Sequence, residues 1–143
     1  MRCISLWQPW ASVIFERDHD GIQVKPDETR HWATAVRGRI AIHAAKKVLR
    51  YDEQAYYEPQ MLALGLRWSN LPFGCIIGTA NLVQCLPTTI ARRNRELWQQ
   101  FWGDYSDDRY AWELCDPVKL ETPVPWKGKQ GFFDVPDSIL QFN

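Results

Sequence analysis

Three groups of polar residues stand at the mouths of short apolar segments and carry the chemistry of a binding or catalytic cleft: Lys25, Glu28 and Arg30, then Arg39, His43 and Lys46, then Arg109 and Glu113. Cations that converge can hold a phosphate through charge-assisted hydrogen bonds, and a carboxylate or imidazole beside them can orient a ligand or move a proton. On that chemistry Lys25, Glu28 and His43 are the candidate catalytic groups, and Arg30, Arg39, Lys46, Arg109 and Glu113 the candidate ligand-binding groups. Trp32 and Trp126 join the second set, because each sits in a polar, turn-like stretch where a ring can stack on a base. Trp7, Trp10 and Trp112 lie beside apolar residues and are expected in the core. Two plainer readings compete with these. Lys25, Glu28 and Arg30 can form surface ion pairs of small individual worth, and a histidine after Ile40-Ala41-Ile42 can be a hydrogen-bonded strand residue.

Other chemistries fail on spacing. The Lys127-Gly128-Lys129-Gln130-Gly131 turn invites a phosphate-loop reading, but that motif needs Gly and Ser/Thr where this chain has Pro123 and Gln130. Neither G-x-S-x-G nor H-E-x-x-H occurs. Cys3, Cys75, Cys85 and Cys115 are dispersed, with no C-x-x-C pair, so neither a metal nor a cofactor is expected and the cysteines read as small apolar fillers.

A length of 143 residues fits one domain over 1–143. Seventeen basic residues balance seventeen acidic ones, which removes the strongly basic signature of a non-specific nucleic-acid binder but allows a local basic patch. Hydrophobic content of 45% excludes overall disorder, and eight Trp, five Tyr and six Phe exceed what a small core needs, so some rings are expected on a binding surface. The N-terminal apolar run is too short for a signal peptide, and no stretch approaches the roughly 18 apolar residues of a membrane span. A cytoplasmic protein without membrane contact is the expectation.

The elements that must position these groups follow from periodicity. Strands are predicted from Ile4 to Trp7, from Glu28 to Trp32 with Glu28, Arg30 and Trp32 on one face, and from Arg37 to His43 with Ile40 and Ile42 opposite Arg37, Arg39 and His43. Gly74 to Cys85 reads as a central strand, apolar on both faces, with Ile77, Thr79 and Val83 opposite Ile76, Ala80 and Leu82. Tyr110 to Leu114 and Gly131 to Val135 complete the set. Helices are predicted after Pro9, from a cap at Asp52 to Gly65, and from a cap at Thr89 with Ile90, Asn94, Leu97, Trp98 and Phe101 on one stripe. On that last helix Arg92, Arg93 and Arg95 fall on the outer face, a solvated surface that could extend a phosphate track. Strands without regular helix alternation predict an α+β fold with a small, mostly antiparallel barrel and two or three flanking helices.

The ordered set of segments resembles the ASCH domain family. Ile4-Ser5-Leu6-Trp7-Gln8-Pro9-Trp10-Ala11 looks like the family's first strand and helix, and Lys25-x-x-Glu28-x-Arg30 resembles its G-x-K-x-x-E-x-R signature. Arg37 to Lys46, Gly74 to Cys85, Arg109 to Leu114 and Pro123 to Gly131 resemble its later segments, so the likeness spans nearly the whole chain. Gln23 stands where the signature has Gly, which implies a different turn before Lys25. The resemblance implies a PUA-like barrel whose cleft binds RNA, other single-stranded nucleic acid or a modified nucleotide. It implies as an alternative a metal-independent hydrolase in the same cleft. That hydrolase would be a ribonuclease using Lys25, Arg30 and His43, or an amidohydrolase of N4-acylated cytidine. The amidohydrolases of the family use a Thr nucleophile at the position of Glu28, and Thr29 next to it points to the other face of a strand. A third class, a protein-interaction module anchored by Trp, is set against both.

Overall fold

Ile4 and Leu6 alternate along one segment, and Ile40, Ile42 and Ala44 along another, so each presents an apolar stripe that is stable only when covered. In the computed structural model, which describes residues 1–140, both segments are strands of a six-stranded sheet. The strands are β1 (Arg2–Leu6), β2 (Asp27–Arg30), β3 (Gly38–Ala44), β4 (Cys75–Pro87), β5 (Tyr110–Pro125) and β6 (Phe133–Asp134). Their order across the sheet is β2-β5-β4-β3-β1-β6. β1 runs parallel to β3, with Ser5 opposite His43, and the other neighbours are antiparallel.

Three helices are single turns, α1 (Trp10–Val13), α3 (Thr88–Ala91) and α4 (Leu97–Gln100), and α2 (Tyr51–Ala63) is of ordinary length. The fold is α+β, as expected, but the expected barrel is not closed. No ladder joins edge strands β2 and β6 among the described residues. Between β2 and β1 a side chain stands in for one: Arg30 Nη2 donates to the Ser5 carbonyl at 3.0 Å.

One face of the sheet buries Ile4, Leu6, Ile40, Ile42, Ala80, Leu82, Trp112 and Leu114 against Ala11 and Ile14 of the α1 region. The other buries Cys3, Ala41, Ile76, Leu120 and Phe133. Each large aliphatic side chain taken out of water in this way contributes about 1.5–3 kcal/mol. The short α1 is held by a buried side chain, since Gln8 Oε1 accepts from the Ser12 N–H at 3.0 Å while its Nε2 donates to Pro72 O at 2.9 Å.

Central strand β4 lies between β3 and β5, as its two apolar faces require. Its facing differs from simple alternation: Ile77 joins Ala80 and Leu82 on one side, because register shifts interrupt the β4–β5 ladder after Ile76, Thr79 and Leu82. Gly78 sits at the first of these. A Cβ there would stand 2.3 Å from the Phe15 ring and 2.6 Å from the Val118 carbonyl.

Three other elements depart from their expected form. β5 runs on to Pro125, well past Leu114. The helix expected from Thr89 breaks into α3, a 3-10 turn (Arg92–Asn94) and α4, with Arg95 extended between them. The cause is electrostatic: Arg95 turns inward to a bidentate pair with buried Asp27, at 2.7 and 3.0 Å, and so is not on the outer face. Breaking the helix also leaves Leu97 and Trp98 exposed instead of striped against the core. Finally, α2 is preceded by Arg50, with Glu53 accepting from its N–H, so Asp52 lies in the first turn and is not the cap.

Candidate functional site

β2 is short, yet three consecutive polar residues along it are buried, and each has a partner that explains this. Asp27 accepts from Arg95 and from the Tyr105 hydroxyl at 2.6 Å. Burial and the neighbouring carboxylate push the Tyr105 phenol far up, so it stays protonated and donates to Asp27. Thr29 Oγ1 accepts from the Asp104 N–H at 2.9 Å. Glu28 is bracketed by cations: Arg30 Nε donates to its Oε2 at 2.8 Å, and Lys25 Nζ lies 3.6 Å from its Oε1.

Lys25 is almost completely buried and donates to the carbonyls of Trp102 at 2.8 Å and Asp27 at 2.9 Å. Burial lowers its pKa, and the carboxylates of Glu28 and Asp27 oppose the shift. Arg30 commits Nε to Glu28 and Nη2 to Ser5 O, and its guanidinium carbon lies 5.6 Å from the ring centroids of both Trp32 and Trp112. The planar cation is thereby fixed in orientation before any ligand arrives.

His43, on β3, is also buried. Its Nε2 is 2.8 Å from the Trp126 carbonyl and its Nδ1 is 2.8 Å from Ser5 Oγ. A carbonyl can only accept, so Nε2 carries the proton and Nδ1 accepts from the Ser5 hydroxyl. Burial lowers the pKa of the ring, the Trp126 carbonyl opposing, so the imidazole is neutral at pH 7.

These groups face one open cleft of about 1490 Å³, lined by Lys25, Glu28, Arg30, Trp32, His43, Lys46 and Trp126 of the expected set. It exceeds the roughly 300–1,000 Å³ of a small-molecule pocket. The three signature residues therefore share a concavity with both His43 and Lys46. Arg39, Arg109 and Glu113 are not part of it. Arg39 donates to Asp116 O at 2.7 Å, Arg109 reaches Thr29 O and the His31 ring, and Glu113 pairs with Arg95 at 3.3 Å. Their side chains bond the protein's own scaffold instead of facing a ligand.

Several lining residues were not among the candidates. Trp7, expected in the core, is 39% exposed, with Lys47 Nζ 5.0 Å from its ring centroid. It follows the last residue of β1, where the chain leaves the sheet, so its ring stands at the cleft's edge. Trp10 lines the cleft too, packed edge-on to Tyr57 at 5.0 Å. Lys47, Lys127 and Lys129 complete a basic rim, legible as charge clusters at two segment ends. Six lysine and arginine side chains line the cleft against two carboxylates, Glu28 and Asp104, although the chain as a whole is neutral. Trp32 is 48% exposed, whereas Trp126 is half-buried against the second apolar cluster. Ser5 carried no signal in sequence, because its partner His43 becomes visible only through the parallel pairing of β1 with β3.

Among the described residues the sole cluster with metal-ligand spacing is Asp18, His19 and Asp20, on a surface turn outside the cleft lining. No described helix is long and apolar enough to cross a membrane.

No family model matches the chain. It is 28% identical over 147 residues to activating signal cointegrator 1 of Mus musculus and 27% identical to that of Homo sapiens. In both cases 97% of this chain is covered, and the chain spans 23% of the relative's length. Its fold is similar to the crystal structure of ASCH from Zymomonas mobilis, with a TM-score of 0.54 and 16% identity over 96% of this chain and 88% of that one. A tyrosine-to-phenylalanine variant of the Zymomonas protein gives the same TM-score over 95% of this chain and 90% of that one. The chain is thus similar along nearly its whole length to part of activating signal cointegrator 1, and its architecture is similar to that of the Zymomonas ASCH protein.

Proposed function

We propose that the cleft binds single-stranded RNA, or a nucleotide with the same base and phosphate chemistry, within one domain over residues 1–143. The observation that carries this reading is the pairing of exposed rings with cations along one concavity: Trp7 beneath Lys47 and Trp32 beneath Arg30. Base stacking on such rings is worth about 1–3 kcal/mol per base and tolerates any sequence. The basic rim supplies phosphate contacts, whose strength falls with salt as counterions are released. In this reading Arg30 and Lys46 meet phosphate, Trp32 and Trp7 stack, Glu28 holds Arg30 in place, and Trp126 serves through its carbonyl on His43. The four cysteines are free thiols, which supports a reducing compartment such as the cytoplasm.

The alternative, a metal-independent hydrolase, has its own support in a buried Lys25 of lowered pKa beside Glu28 and a neutral His43. The test is a fluorescence titration with a uridine oligomer at two salt concentrations in EDTA, followed by analysis of the oligomer. Salt-dependent quenching that weakens in Trp32→Ala and Trp7→Ala supports the binding site. Cleavage in EDTA supports the hydrolase, and absence of quenching at low salt contradicts the reading.

A further inference from the structure

We infer that Ser5 and His43 form a nucleophile and general-base pair that hydrolyses an ester or amide carbonyl presented in the cleft, a reading that relies on the proposed nucleotide site to position the substrate. Three groups are in line. Ser5 Oγ donates to His43 Nδ1 at 2.8 Å, and Nε2–H of the same ring donates to the Trp126 carbonyl at 2.8 Å, which fixes the tautomer that leaves Nδ1 free to accept a proton. Both side chains line the open cleft. Burial of the ring keeps it neutral, as a base must be.

A cation is held at the same residue. Arg30 Nη2 donates to the backbone carbonyl of Ser5 at 3.0 Å, which ties the guanidinium to the residue that carries the hydroxyl. Its Nη1 has no protein acceptor among the described residues. Gly128 covers the pair: a Cβ there would stand 2.6 Å from His43 Cε1 and 3.2 Å from Ser5 Oγ. Only a glycine lets the 127–131 turn close over the pair without displacing it. No hydroxyl stands at the Glu28 position, and Thr29 Oγ1 is occupied by the Asp104 N–H, so Ser5 is the hydroxyl already paired with a base.

The step balances with water as sole co-reactant. Ser5 Oγ attacks the carbonyl carbon and its proton passes to His43 Nδ1. The bond from carbonyl carbon to the leaving oxygen or nitrogen breaks, and the leaving group takes that proton. Water then attacks the acyl-serine, giving its proton to Nδ1, and the proton returns to Ser5 Oγ as the acid departs.

A biotinylated fluorophosphonate tests the pair directly: Ser5 Oγ displaces fluoride from phosphorus, and peptide mass spectrometry maps the adduct. The expected result is an adduct on Ser5 of the folded chain, absent in urea and formed at least tenfold more slowly in His43→Gln. Folding of that variant is checked by its unfolding midpoint. In Gly128→Ala labelling is expected to fall with the turn displaced. No adduct on Ser5 in the folded wild type, or an unchanged rate in a folded His43→Gln, would overturn the inference. The uridine-oligomer titration of the wild type separates the two readings. Binding with an inert Ser5 defeats the nucleophile alone, and a labelled Ser5 without binding defeats the nucleotide site alone.

Discussion

Arg30 on β2 donates to the carbonyl of Ser5 on β1 at 3.0 Å, and this one hydrogen bond joins two strands that no ladder connects. The same guanidinium holds Glu28 at 2.8 Å and packs over Trp32, so the seam of the sheet and the floor of the cleft are built by one side chain. The proposed binding chemistry and the local architecture are therefore linked at Arg30, so substitutions there should act on both.

The scaffold behind the cleft rests on Asp27 and Arg95, whose side chains are 1% and 16% exposed. Removing one partner of such a pair leaves an uncompensated buried charge, so Arg95→Ala should lose about 3–5 kcal/mol of unfolding free energy. Arg92 pairs with Asp107 at 2.8 Å in solvent, and Arg92→Ala should lose less than about 1 kcal/mol. Urea denaturation of the two variants measures both losses, and equal losses would show that Asp27 finds another partner.

Gly78→Ala places a methyl group against the Phe15 ring and the Val118 carbonyl. The carbonyl is backbone and cannot step aside, so the expected cost is about 1–3 kcal/mol, the range for overpacked cores. A lowered thermal midpoint with retained sheet signal in circular dichroism is the anticipated outcome. An unchanged midpoint would place the β4–β5 register elsewhere.

His43 gives the stability a specific pH dependence. Its pKa is lowered in the folded state from the ordinary 6.5, chiefly by burial, so below 6.5 the unfolded chain binds a proton that the folded one refuses. The stability due to the neutral ring is complete above 6.5 and is lost as pH falls from there toward the lowered value. Denaturation curves between about pH 7.5 and 5.5 should show this fall in the wild type and a flatter profile in His43→Gln. Parallel profiles would mean that the ring titrates normally.

Much of this is legible in the sequence, for reasons specific to each element. The strand around Ile40 and Ile42 and the central strand from Gly74 announce themselves because alternation and two-sided apolarity have one structural reading. Lys25, Glu28 and Arg30 are legible as a candidate cluster because four charged residues, Asp27 among them, fall within six positions beside apolar segments and need partners. The helix expected after Thr89 fails because its periodicity is real but local, and the tertiary pair between Arg95 and Asp27, 68 residues apart, overrides it. Trp7 escapes the core expected for it because neighbouring apolar residues do not reveal where a strand ends. Arg39, Arg109 and Glu113 look like the true cleft residues because sequence shows the strand mouth but not which partner each side chain takes. The open seam is illegible for a similar reason, since one long-range side-chain bond replaces a ladder there.

The central claim, a preorganised cleft that grips phosphate and base, is tested most directly by comparing Arg30→Ala with Arg93→Ala. Each removes one positive charge, so a diffuse electrostatic surface would treat them alike. Arg30 is sheltered, oriented by Glu28 and stacked on Trp32, whereas Arg93 is exposed on the turn after α3. Loss of a charge-assisted hydrogen bond at Arg30 should weaken affinity by about 1.5–3 kcal/mol. Arg93, screened by solvent and salt, should cost less and chiefly lower the salt slope. The measurement is a titration of both folded variants with one uridine oligomer at two salt concentrations. A loss at Arg30 that exceeds the loss at Arg93 at both salts is the predicted result, and equal losses would contradict the cleft.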